Sequence, residues 1–300
     1  MINLSRLPTG FSLQGDQPMS QTRSSLLTIY PHITDRDRHL LRLLNEHQVL
    51  TTGQVHRLLF QARRTCQIRL AELRALGLIE RFRFARAGGG SQPWHWTLDH
   101  AGQRFQAAAA ILPEPTLRAS RERLTRLSAN PHLSHLVQAN EFGVRLTAYA
   151  RSHPGARLER WWSEGSTTKQ YRTITADGHG LWSVDDRRVG YFLEVDTGTE
   201  PLRRVVAKLD RYARLSSRGG PRYPILFWLL NEEREDHLHW LLRGDDSHVQ
   251  TATAIWAADP AEAVWLPADG DDRVRLVDLP SDDGRPVADN PNFVDGEFVA

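Results

Sequence analysis

The sequence predicts an α+β protein built from an N-terminal winged helix-turn-helix domain and a C-terminal α/β domain. Three observations predict it. Residues 34–98 read in order as helix, short helix, turn, helix and two-stranded hairpin. Beyond residue 131, strand-like stretches alternate with helical ones, and Tyr223 to Leu230 is a near-continuous apolar run of the kind buried on both faces of a sheet. Charge is also divided along the chain. Residues 1–130 carry 18 basic and 9 acidic side chains, residues 131–258 carry 17 and 16, and residues 259–300 carry 3 and 11. A basic front third is what a phosphate-binding surface requires.

The elements follow from local chemistry. Residues 1–30 are polar, rich in Gly, Pro, Ser and Gln, and read as a disordered leader. Thr34 caps a first helix with Asp35 and Asp37 in its first turn and Leu40, Leu41, Leu43 and Leu44 as its apolar stripe. Thr51 or Thr52 caps a second, Gly53 to Phe60, burying Val55, Leu58 and Leu59. Gln61 to Arg64 make a turn, and Thr65 caps a third helix with Cys66, Leu70, Leu73 and Leu76 inside and Gly77 as its stop. A strand from Ile79 to Ala85, a tip at Gly88-Gly89-Gly90 and a return strand with Trp94, Trp96 and Leu98 form the wing. An Ala-rich helix from Asp99 ends before Pro113, closing a domain of residues 31–112.

This order would lay the outer face of the third helix in the major groove. Its candidates for DNA contact are Arg63, Arg64, Gln67, Arg69 and Arg74, because Arg and Gln can bond bidentately to guanine and adenine edges. On the wing, Arg81, Arg83 and Arg86 would reach phosphates or the minor groove. The Ala-rich helix offers a face on which two copies of the chain could pair.

Residues 113–130 form an Arg-rich linker helix, and residues 131–258 form the second domain. A helix runs from Pro131 to about Ser152, with His132 and His135 three apart as a possible ligand pair. Strands are expected at Arg157–Ser163, Tyr171–Thr175 and Val189–Asp196, then one helix from Pro201 to Leu215. Further strands are expected at Tyr223–Leu230 and Leu238–Leu242, and a helix from His248 to Ala257 capped by Ser247. Ala263–Leu266 and Val274–Val277 would extend the sheet, and the acidic tail 259–300 is expected to be partly disordered from Pro280.

Carboxylates gather at the strand ends of this sheet: Glu164, Asp177, Glu194 and Asp196. Glu194 and Asp196 are two apart on a strand and share a face. If Asp177 lies beside Glu194, the two could hold Mg²⁺ or Mn²⁺, which favour carboxylate oxygen. Of the 38 basic residues, 36 are arginine, and the two lysines are Lys169 and Lys208. Lysine is a compact point charge that arginine replaces poorly. Tyr171, Tyr191 and Tyr212 are candidate nucleophiles with nothing to rank them, and His237-Leu238-His239 would place two histidines on one strand face. With one cysteine, Cys66, no intrachain disulfide forms; no apolar span and no signal segment are seen, so a cytoplasmic protein with no membrane partner is expected. Phosphate-loop, zinc and serine-hydrolase spacings are absent.

Asp177, then Glu194-Val195-Asp196, then a helix carrying Lys208, resembles the PD-(D/E)XK restriction-endonuclease superfamily. The wider run "LSHLVQANEF", "WWSEG", "ADGHG" and "FLEVDTGTEPLRRVVAKLDRY" resembles the replication-relaxation family of actinobacterial plasmids and mobile elements, over about residues 33–243. The resemblance implies a restriction-endonuclease-like second domain, DNA as partner, a part in plasmid replication, relaxation or transfer alongside replication or conjugation proteins, and metal-dependent endonuclease or nickase chemistry. The alternative is a non-catalytic replication factor or regulator on a degenerate nuclease fold. Asp177 matches the first acidic position, with Ala176 in place of the proline, and Glu194 matches the second. Asp196 stands where the motif has lysine, so Lys208 from the next helix is the implied replacement and Lys169 the reserve. Glu164 or Glu141 would fill an auxiliary acidic position.

Overall fold

The computed structural model describes residues 26–85 and 91–284, which fall into two compact units, 1–130 and 131–300. In the first unit α1 (Leu26–Ile29) runs into a 3-10 turn, and Ile29 and Ile33 are buried, so helical structure begins inside the segment read as leader. α2 (Asp35–His47) starts at a capping box: Asp37 N donates to Thr34 Oγ1, and Thr34 N donates to Asp37 Oδ2. A short β1 (Leu50–Thr51) leads to α3 (Thr52–Leu59), which Thr51 and Gln54 cap in the same way.

α4 (Arg63–Ala75) begins three residues earlier than a cap at Thr65 would have it. Ala62 stands at its N-cap without a side-chain bond, so burial of Cys66, Leu70 and Leu73 starts the helix rather than a hydroxyl cap. Arg63 and Arg64 therefore lie in the first helical turn. Gly77, at φ 71°, ends it. β2 (Ile79–Phe82) pairs antiparallel with β3 (His95–Leu98), and β3 also pairs with β1. The tip Gly88 to Gly90 and Arg86 lie outside the described residues. α5 (His100–Ala109) and α6 (Leu117–Ser128) complete the unit, tied where Ser120 Oγ meets His100 and donates to Gln103.

The second unit is a seven-stranded mixed sheet with helices on both faces. It opens with α7 (Leu133–Ser152), β4 (Ala156–Ser163), α8 (Glu164–Tyr171), β5 (Gly178–Val184) and β6 (Arg187–Asp196). α9 (Leu202–Ala207), α10 (Leu209–Ser217), β7 (Ile225–Leu229) and α11 (Glu232–Arg243) follow. β8 (Thr251–Ile255), β9 (Ala263–Pro267) and β10 (Val274–Arg275) finish the sheet, in the order β10-β9-β8-β7-β6-β5-β4. β6, β7 and β8 run parallel through helical crossovers, and the outer pairs are antiparallel. All five residues of β7 are buried.

Alternation along β6 sends Phe192 to the core under α9, α10 and α11, and Leu193 and Val195 to the core under α7. Glu194 and Asp196 share the Phe192 face and meet side chains of α10 and α11.

Four expectations are corrected. Tyr171–Thr175 is a helix end and connector, not a strand; the strand is Gly178–Val184, and its glycines disguise it. A Cβ on Gly180 would lie 2.2 Å from the Tyr191 hydroxyl, so close packing excludes the side chains that signal a strand. Leu238–Leu242 belongs to α11, started by Asn231 as N-cap and an acidic first turn, so His237 and His239 share no strand face. The stretch expected as a helix after Ser247 holds β8, where alternating Thr and Ala fill the sheet interior. The single helix from Pro201 is two, joined at Lys208. At the end of the described chain, residues 280–284 are bonded into the unit: Arg222 and Asp282 form a bridge, and the Tyr223 hydroxyl donates to Asp283 at 2.7 Å.

Candidate functional site

The central residue is Glu194, only 4% exposed on β6. The left-handed turn at Gly198, φ 83°, follows β6 and leads into α9. Lys208, at the α9–α10 junction, then places Nζ 2.9 Å from Glu194 Oε2 and 3.3 Å from Glu200 Oε2. One turn on, the Tyr212 hydroxyl donates to Glu194 Oε1 at 2.6 Å.

Asp177 is locked beside Glu194 by two backbone bonds to β6. Its N–H donates to Leu193 O at 2.9 Å, and its Oδ2 accepts from Val195 N at 2.7 Å. From α7, His135 Nε2 lies 2.9 Å from Asp177 Oδ1. Glu164, in the first turn of α8, stands within electrostatic reach of Asp177.

The electrostatics follow from burial and crowding of like charge. Burial pushes the Glu194 carboxyl up to about 7, the Asp177 charge adds to this, and Lys208 and Tyr212 only partly oppose it. Partial burial and then Asp177 also raise Glu164. Burial pulls His135 down, but the bond to Asp177 and its charge outweigh this and raise the imidazole. Burial opposes the Lys208 charge, yet the Glu194 contact lifts its ammonium well above the usual lysine range, so it stays a cation. The result is one carboxyl, Glu194, poised to titrate near neutrality, with a fixed cation against it.

The donor chemistry does not fit a divalent metal as arranged. Each oxygen of the Asp177–Glu194 pair already accepts a hydrogen bond or ion pair, from Val195 N, His135, Lys208 and Tyr212. Among the described residues no group of three or more His, Cys, Asp or Glu is placed to hold one.

Of the other predicted residues, Asp196 is turned to structure. Arg234 of α11 grips both its carboxylate oxygens and also donates to Glu200 O at 2.6 Å. Lys169 is exposed at the end of α8, and Glu141 pairs with Arg145 at 3.0 Å. Burial holds the phenols of Tyr171, Tyr191 and Tyr212 above their ordinary range, which suits none of them to nucleophilic attack. In the sequence His135 stands with His132, and Tyr212 is an inward-facing helix residue and one of three candidate nucleophiles; no spacing points to their actual partners.

In the first unit, Arg63, Arg64 and Gln67 are exposed on α4. Arg69, expected on that outer face, is committed inward. It donates to Asp37 at 3.0 and 2.6 Å, to Glu72 at 2.7 Å and to His32 O at 2.7 Å. Arg74 pairs with Glu80 at 2.5 Å. Arg83 donates to Ser91 and lies 4.2 Å from the Trp94 ring centre, with Arg81 at 4.0 Å from the same centre.

Fold and site define an α+β protein with a buried glutamate, Glu194, ion-paired to Lys208 and set beside the half-buried Asp177. Residues 41–224 match the replication-relaxation family, more than half of the chain, and include α4, His135, Asp177, Glu194, Lys208 and Tyr212. The chain belongs to the replication-relaxation family. No curated protein and no solved structure matches it. Among the described residues no helix is long and apolar enough to cross a membrane.

Proposed function

We propose that this chain is a DNA-binding protein of plasmid or mobile-element replication and relaxation. On this reading the first unit is a winged helix-turn-helix that presents α4 to duplex DNA. The second is a restriction-endonuclease-like domain centred on Asp177, Glu194 and Lys208. The helix-strand-helix-helix-strand-strand order of α2, β1, α3, α4, β2 and β3 supports the first part, as do the exposed Arg63, Arg64 and Gln67. The observation that carries the second is the Lys208 ammonium at 2.9 Å from Glu194, delivered by the helix after the strand, where the strand itself offers Asp196. In this arrangement Lys208 sets a cation against Glu194 and would meet a phosphate oxygen as a point charge.

Lys208 at Glu194 also favours a second reading, an active nickase in which Asp177 and Glu194 open to a divalent cation. Incubating supercoiled plasmid with Mg²⁺ or Mn²⁺ and the wild-type chain or Glu194→Gln separates the two. With the carboxylate oxygens engaged as they are, we expect a gel shift without nicking in both proteins. Nicking by wild type that disappears in Glu194→Gln would establish the nickase. Absence of any gel shift would contradict DNA binding.

A further inference from the structure

The outer face of α9 and α10 carries Arg203, Arg204, Arg211, Arg214 and Arg218, all exposed. None of the five is ion-paired among the described residues. Seven other arginines of the same unit are paired with carboxylates. An Arg-rich composition alone does not produce that contrast. Residues 201–218 hold six basic side chains and one acidic one, Asp210. The inner faces of the two helices are fixed by buried Leu202, Val205, Leu209, Tyr212 and Leu215, so the arginines stand on a rigid base.

We propose that this face is a binding track for a nucleic-acid phosphate backbone, distinct from α4 and adjoining the Glu194 centre. The proposal rests on the DNA-binding reading and extends it to the second unit. Arg211 and Arg214 on α10 and Arg218 at its C-cap are spaced three and four apart, so they continue one stripe of the helix. At about 1.5 Å per residue the stripe spans about 10 Å, the rise of about three nucleotides of one strand. Guanidinium groups match phosphate oxygens bidentately, and the absence of carboxylate partners leaves those donors available. α11 packs against α9 and exposes Glu232, Glu233 and Asp236, which would repel phosphate and bound the track on that side. Lys208, one-third exposed, joins the track to Glu194.

The test measures DNA affinity of the full chain against salt, comparing wild type with the triple variant Arg211→Ala, Arg214→Ala, Arg218→Ala. Exposed Ala substitutions in helices leave folding intact, and a melting curve checks this. Loss of three phosphate contacts lowers the log–log salt slope by about 2.7, equally for unrelated DNA sequences, and a triple Arg→Lys variant restores most of it. Wild-type binding with an unchanged slope in the Ala variant overturns the track alone. Wild type that binds no DNA overturns both the track and the DNA-binding reading. An Ala variant that loses affinity for a poly-glutamate peptide but keeps its DNA slope assigns the face to an acidic protein and overturns the proposal.

Discussion

Asp37 in the first unit and Glu194 in the second are both buried carboxylates gripped by a basic side chain from a neighbouring helix, yet they titrate in opposite directions. Burial raises Asp37, but four donors from Arg69 and Thr34 outweigh it and hold the carboxyl below its ordinary 3.8. Glu194 has two donors, Lys208 and Tyr212, and the Asp177 charge beside it, so burial wins and lifts it to about 7. The difference separates a strut from a centre. A carboxylate saturated by donors fixes one geometry; one short of donors and crowded by like charge keeps a proton within reach of neutral pH. The signs of pH dependence follow. The Asp37 contribution to stability is present above its ordinary 3.8 and is lost as pH falls through its lowered value. The Glu194 contribution is fully present below 4.5 and is lost as pH rises through about 7.

The largest effect should come from breaking the strut. Asp37→Ala strands Arg69 and removes the carboxylate half of the α2 capping box, costing about 3–5 kcal/mol in chemical denaturation at pH 7. A loss under about 1 kcal/mol would mean the pair is solvated like a surface bridge. Lys208→Met should cost less and depend on pH: about 1–2 kcal/mol at pH 8, where Glu194 must hold its charge, and little at pH 5, where it takes up a proton. A loss independent of pH would remove the contrast with Asp37. The smallest stability effect belongs to the double variant Arg63→Ala, Arg64→Ala, within about 0.5 kcal/mol. Its DNA salt slope should nevertheless fall by about 1.8, whereas Arg69→Ala should destabilise the fold through Asp37.

The elements that the sequence made legible are those whose side chains announce burial. α2 and α3 follow from threonine caps and leucine stripes, and β7 from its unbroken apolar run. β5 was hidden because glycine faces Tyr191 there, and β8 because Ala and Thr fill a crowded interior where bulkier residues would signal a strand. α11 hides because its apolar pair Leu241-Leu242 follows charged residues that serve its first turn. Asp177 beside Glu194 is a conditional expectation from strand ends, and Lys208 as their partner is what the resemblance to the PD-(D/E)XK superfamily implies; the structure puts Lys208 2.9 Å from Glu194. The partners of His135 and Tyr212 are not legible, since their contacts depend on how α7 and α10 pack on the sheet. Arg69 shows the opposite failure: outer-face periodicity describes the helix but not the carboxylate that draws a long side chain inward.

The most direct measurement is a carbon-13 NMR titration of the Glu194 side-chain carboxyl, assigned by its absence in Glu194→Gln, in the free protein and with a DNA duplex bound. A midpoint near 7 in the free protein, moving upward when DNA phosphates approach, is the predicted result. A midpoint at or below 4.5 that DNA leaves in place would show that Glu194, like Asp37, is a strut and not a centre.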